Sequence, residues 1–277
     1  ASTISMSGGV LDADNSSTLS GTLTQAGNIT IDVADNKTLT YSGTALSLGA
    51  NTLTLSGGGT LSNTNAFVLN HASSKLLLNS ITVDSVSTSS NSLGLDVDNN
   101  STVTSLTVAY ITPVSIAGSK ILSGAITVTA GSIKLDETGE LASTISMSGG
   151  ELDADNSSTV SGTLTQAGNI TIDVADNKTL TYSGTAISLG ANTLTLSGGG
   201  SLVSGGLTLN NASSKLLLNS ITVDNVSTTS DSLGLDVDAN STVTSLSVAN
   251  ITPVSIASGS SLSGGITVTA GSLKLTE

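Results

Sequence analysis

Short stretches of strict apolar–polar alternation recur along the chain: NITIDVA (28–34), TLTLSGG (52–58), SITVDSV (80–86) and AITVTAG (125–131). A period of two puts every second side chain on one face, so each stretch predicts a short strand with one face buried. Between them lie DADNSST, ADNKT, LGANT, DNNST and AGSK, the residue types of tight turns. An aliphatic side chain restarts the alternation at Leu19, Leu39, Leu61, Ile81, Val103 and Ile121, in steps of 20, 22, 20, 22 and 18. A period near 20 in a Gly- and Asn-rich chain is that of a solenoid coil, two or three short strands with their turns per rung. No helix is expected, since the longest apolar run, KLLLN, is too short for one.

A longer repeat is laid over the short one. ASTISMSGGVLDADNSST from Ala1 returns from Ala142 as ASTISMSGGELDADNSST. Through Ser56 and its counterpart Ser197 the copies differ only at Val10/Glu151, Leu19/Val160 and Leu46/Ile187. They diverge and lose one residue after Gly59, then resume as SSKLLLNSITVD at Ser73 and Ser213. Two repeats follow, residues 1–141 and 142–277, read as one continuous all-β parallel solenoid. Seven coils fit each repeat, and about 14 coils at ~4.8 Å would make a rod about 65 Å long. A sandwich or barrel also suits many evenly spaced strands. Tandem near-identity, small aliphatics and only two prolines, Pro113 and Pro253, favour the solenoid.

Composition narrows the core and the partners. Phe67, Tyr41, Tyr110 and Tyr182 are the only aromatics, which suits a narrow core of repeated aliphatic layers better than a globule. β-Branched residues throughout argue against disorder. The net charge is −13, there is no Arg and the seven Lys stand singly, so neither nucleic acid nor an anionic membrane surface is an expected partner. No stretch approaches the roughly 20 apolar residues of a membrane-spanning helix. There is no Cys, so a secreted domain of this sequence needs a stabiliser other than disulfides, and long backbone ladders are one route. The chain begins without Met and ends part-way through a repeat phrase, and reads as a mature protein or an excerpt.

GANTLTLSGGGTL (49–61), GTLTQAGNITIDVADNKTLTYSG (21–43) and SGGITVTAGSLKL (263–275) resemble the β-helical repeats of bacterial autotransporter passengers and filamentous-haemagglutinin-type adhesins. The resemblance covers essentially the whole chain. It implies a right-handed parallel β-helix at a bacterial cell surface. It implies no ligand and no functional residues.

Candidate chemistry is sparse. Asp12/Asp14 and Asp96/Asp98 recur as Asp153/Asp155 and Asp236/Asp238. Their oxygens could ligate calcium, but the pattern lacks the Gly and the closing Glu of an EF-hand loop, and the bland reading is solvent-facing and turn-starting Asp. Acid–base glycoside chemistry would need a carboxyl of raised pKa in a cleft, and these pairs are duplicated in a chain without Arg or Trp. His71 is the only His and is Asn211 in the second copy, which fits a turn residue better than a general base. No catalytic, cofactor-binding or metal-binding residue is therefore expected, and no enzyme.

Thr-x-Thr pairs, Thr22/Thr24, Thr38/Thr40, Thr52/Thr54, Thr102/Thr104 and Thr127/Thr129, flank inward aliphatics. Flat Thr arrays resemble those of ice-binding proteins, and here a near-register series runs from residues 18, 38, 60, 82 and 102, with Asp84 interrupting it and Lys120 next. Exposed strand positions favour Thr in any case. Sequons such as Asn28-Ile29-Thr30 and Asn36-Lys37-Thr38 permit surface glycosylation. Tyr41 and Tyr182 read as lateral contacts or plain strand residues.

The resulting expectation is an extracellular structural or adhesive module. Residues 1–9 and 266–275 read as ordinary rungs, so the solenoid is expected to continue end to end into a stalk, filament or sheath, with the chain's own kind as partner. The rival is a module binding ice, glycans or calcium through Thr faces or Asp turns. Residues 60–71 against 201–211, where the copies part, are its expected surface.

Overall fold

The computed structural model describes residues 3–275, and among them there is no helix. The chain divides into two compact units, 1–144 and 145–277, a cut close to the boundary between the sequence repeats. Each unit is a stack of parallel β-coils, and the fold is the expected β-solenoid, of about 14 turns in all.

In unit 1 each coil has three faces. The first is a ladder of Val10–Ala13, Ile29–Val33, Thr52–Ser56, Lys75–Asn79, Gly94–Val97, Ile111–Ile116 and Ser132–Leu135. The second begins with Ser17–Leu19, Thr38–Tyr41 and Thr60–Asn63, and the third with Ile4–Met6, Leu23–Gln25, Leu46–Ser47 and Phe67–Leu69. From the fourth coil on, the second and third faces fuse into single bent strands, Thr82–Thr88, Ser101–Val108 and Ile121–Val128. A bulge marks the bend: Val103 faces Gly124 and Leu106 faces Ile126, so one strand carries an extra residue there. Gly124 sits at φ 126°, and a Cβ on it would lie 1.8 Å from the Val103 carbonyl oxygen. Only glycine fits this close approach.

Alternation does what the sequence leads one to expect. Ile29, Leu53, Leu76, Leu95, Val114 and Leu135 follow one another in register and are all buried. The next inward column, Ile31, Leu55, Leu78, Val97 and Ile116, is buried as well. Each such aliphatic removes apolar surface worth roughly 1.5–3 kcal/mol from water. Unit 2 repeats the architecture, with Ile170, Leu194, Leu216, Leu235 and Val254 in the equivalent column.

Coil length is less regular than the sequence suggests. On the first face Ile29 pairs with Leu53 and Thr52 with Lys75, steps of 24 and 23 in the numbering. Later links shorten: Lys75 to Gly94 and Leu95 to Val114 are both steps of 19. On the second face the ladder runs Ser17, Leu39, Leu61, Val83, Val103 and Gly124, giving steps of 22, 22, 22, 20 and 21. Leu19, Ile81 and Ile121 therefore do not belong to the column that the spacing gave them. Leu19 and Ile81 are each two positions off, which keeps a side chain on the same face, so apolar pattern alone does not resolve them. Ile121 is three off and faces outward, with Leu122 taking the inward place.

Side chains take over where the wide coils separate the backbone. Leu23–Gln25 pairs with Ile4–Met6, and among the described residues no strand pairing joins it to Leu46–Ser47 above. Tyr41 crosses this gap: its Oη accepts from the Leu23 N–H at 3.2 Å and donates to the Thr44 carbonyl at 2.7 Å. Gln25 crosses it too, Nε2 donating to the Thr52 carbonyl at 2.8 Å. Unit 2 repeats both links, with Leu164 N–H to Tyr182 Oη at 2.9 Å and Gln166 Nε2 to the Thr193 carbonyl at 2.8 Å. Tyr41 and Tyr182 are thus 1% and 3% exposed, so of the two readings the lateral contact falls away and both are strand residues. A phenol is long enough to bridge the gap, and its hydroxyl supplies the donor and acceptor that the missing strand pairing would have supplied.

Candidate functional site

The acidic pairs lie on the outer surface. Asp12 is a strand residue whose ladder partner is Asp32, and Asp12 and Asp14 are exposed on either side of buried Ala13. Asp32 accepts from the Ser56 hydroxyl, and Asp173 from Ser197 in unit 2. Asp96 is held by Lys75 at 2.6 Å and Asp236 by Lys215 at 2.8 Å. Asp98 and Asp238 are exposed just beyond their strands. Among the described residues no three His, Cys, Asp or Glu side chains gather where they could hold a metal ion.

His71 is an exposed turn residue. Its Nδ1 accepts from the Ser73 N–H at 3.0 Å, which leaves the ring proton on Nε2. In unit 2 Asn211 Oδ1 accepts from the Ser213 N–H at 2.9 Å. The two residue types present an acceptor at the same reach, which explains how one replaces the other. The sequon residue Asn28 is also a corner device, its Oδ1 accepting from the Thr52 N–H at 2.8 Å.

The divergent segment resolves into a difference of core. Asn63 is 2% exposed and ties the corner to the coil above: Oδ1 accepts from the Asp84 and Ser85 N–H groups, and Nδ2 donates to the Asn65 and Ser85 carbonyls. Phe67 is fully buried, its ring centroid 6.2 Å from that of Tyr41. Unit 2 has Ser204, with its hydroxyl accepting from Gly206 N–H, and Leu207 at these places. The lost residue falls at this corner, TNA (64–66) against GG (205–206).

The Thr pairs fall on all three faces rather than one. The second face carries the longest hydroxyl row, with Thr38, Thr60, Thr82, Thr102 and Ser123 in direct register. Two expectations change here. Thr18 pairs with Thr40 and so lies outside this row, and the residue after Thr102 is Ser123 rather than Lys120. Asp84 stands in the neighbouring row, where its carboxylate accepts from the Ser62 hydroxyl at 2.7 Å. Unit 2 has Thr179, Ser201, Thr222, Thr242 and Ser263 in the same row.

Beside this row, at the corner between first and second faces, lies a groove of about 420 Å³ lined by Ser80, Thr82, Asn100, Thr102, Ile121 and Ser123. Its counterpart in unit 2, about 170 Å³, is lined by Ser220, Thr222, Asn240 and Thr242. Ser80 and Ser220 hold left-handed φ values of 56° and 54°, strained for a residue with a Cβ. Spacing did not disclose the groove, because it forms where the two-residue corner of Ser80 and Ile81 lies between longer corners, residues 57–59 on one side and residues 98–100 on the other.

Comparison with protein-family models, with curated proteins and with solved structures finds no match.

Proposed function

We propose that this chain is an extracellular structural module of a bacterial surface, in which the solenoid continues end to end into a stalk, filament or sheath. The observation that carries the reading is the last described coil of unit 2. Ile266, Val268 and Leu275 are 47%, 50% and 69% exposed, while their counterparts Ile126, Val128 and Leu135 are at most 3% exposed. The same side chains thus serve as core or lie uncovered, and further coils of the same kind would cover them. In the first coil of unit 1 the inward Ile4, Met6 and Leu11 are only half-buried, while their counterparts Ile145, Met147 and Leu152 are at most 1% exposed. Uncovered strand edges with apolar interiors favour further strand pairing. The coils come from a longer chain of such repeats or from other copies.

The reading includes no catalytic step. In its support, the one imidazole is committed to a backbone turn, and Asp96 and Asp236 are committed to lysines. The repeat pattern shared with autotransporter passengers and haemagglutinin-type adhesins supports the surface location.

Negative-stain electron microscopy of native material, paired with its denatured mass on a gel, tests the reading. Fibres with an axial repeat near 34 Å, seven coils at ~4.8 Å, or its double are expected. The gel separates one giant chain from many small subunits. A chain that stays monodisperse and monomeric at high concentration, with no fibre in native material, refutes it.

A further inference from the structure

We infer that the groove at the corner between first and second faces is a binding site for an extended, neutral, polyhydroxylated chain, that is, an uncharged glycan strand. The groove crosses four coils of unit 1: Gly58, then Ser80–Thr82, then Asn100–Thr102, then Ile121–Ser123. At ~4.8 Å per coil that is about 14 Å, room for roughly two or three sugar residues lying along the stack.

The lining selects the ligand class. In a chain with 20 acidic residues, no charged side chain lines either groove among the described residues. An anion would find no cation there, and a metal ion would find no carboxylate. What the groove offers is hydroxyls, one amide and small apolar surfaces from Ile121 and the Thr methyls. Among the described residues, Ser80 Oγ, Thr82 Oγ1 and Asn100 Nδ2 make no hydrogen bond within the chain, whereas Asn100 Oδ1 already accepts from Ile121 N–H. Thr102 Oγ1 and Ser123 Oγ share a bond of 2.8 Å and can each still pair outward. Hydroxyls both donate and accept, so they meet sugar hydroxyls of either sense. Their repeat along the stack, one per coil, suits a ligand that is itself a repeat.

Unit 2 provides an internal comparison. Its groove keeps Ser220, Thr222, Asn240 and Thr242, but Ser261 replaces Ile121, and its hydroxyl occupies Asn240 Oδ1 at 3.0 Å. The smaller volume goes with the loss of that apolar wall, so unit 1 is the stronger site.

Titration of the full chain with cellohexaose, a neutral β-linked glucan, followed through amide chemical shifts, tests the assignment. Saturable shifts are expected at residues 80–82 and 100–102, with weaker ones at 220–222 and 240–242. The double variant Thr82→Val, Thr102→Val removes two hydroxyls without changing shape, and is expected to weaken binding in unit 1 by at least tenfold while the shifts in unit 2 persist. A second variant, Thr82→Lys, fills the groove from an outward strand position and gives the same loss. Absence of saturable shifts overturns the inference, as do shifts that both variants leave unchanged or binding of anionic polygalacturonate alone. Fibre formation depends on other coils, so failure here leaves the end-to-end reading untouched.

Discussion

The wide coils of unit 1, between Ile29 and Lys75, and the tight ones, between Lys75 and Ser132, solve the same closure problem differently. In the tight coils one bent strand with a single bulge serves two faces, and backbone pairing continues around the bend. In the wide coils the faces separate, and the phenol of Tyr41 and the amides of Gln25 and Asn63 carry bonds from coil to coil. A solenoid therefore tolerates several extra residues per turn where a long polar side chain is available to span the gap. The cost is dependence on single side chains. Gln25 shows the limit of the device, since its buried Oε1 has no partner, nor has that of Gln166.

The largest effect that would break this comparison comes from Tyr41→Ala. Loss of the ring and both hydroxyl bonds is expected to cost about 3–5 kcal/mol, the scale of removing a buried aromatic. Stacked coils need not unfold as one, so native-state hydrogen exchange is the suitable measurement, read at the Leu23 amide. Next, Asn63→Ala should cost about 1–3 kcal/mol, because the Asp84 and Ser85 N–H groups lose their acceptor. Ser105→Ala at the tight-coil bend should stay within about 0.5 kcal/mol, as for an exposed surface position. Equal costs at the two bends would erase the distinction.

A smaller effect sharpens the comparison between copies. Ser119 has φ 64°, and Gly259 occupies the equivalent place at φ 85°. Ser119→Gly should stabilise its corner by about 0.5–1 kcal/mol and Gly259→Ser should cost about as much, both visible as shifts in thermal midpoint. Smallest of all, His71→Asn should change stability by less than about 0.5 kcal/mol, since the Ser73 N–H keeps an acceptor.

What the sequence disclosed follows from what alternation encodes. It fixes which side of a strand faces inward, and so the columns through Leu53 and Leu55 were legible from the apolar pattern alone. It does not fix which inward residue meets which, because Leu19 and Ser17 share a face and only the corner between coils decides between them. Corner geometry depends on backbone such as the bulge at Gly124 and on side chains such as Tyr41, and neither has a periodic signature. The hydroxyl row from Thr38 to Thr102 was legible because its spacings match the true register. The groove beside it was not, since it arises from the glycine corner at Gly58 next to the left-handed Ser80.

The pairing distances carry one more consequence. Every described ladder link in unit 1 reaches only to the next coil, from the short step between Ile4 and Leu23 to the long one between Ile29 and Leu53. A turn that folds next to an already formed coil therefore never waits for a distant segment, and finds its template already in place. Loop closure costs the same for the last coil as for the first. Growth of such a stack is a local process, in which each coil laid down becomes the template for the one after it.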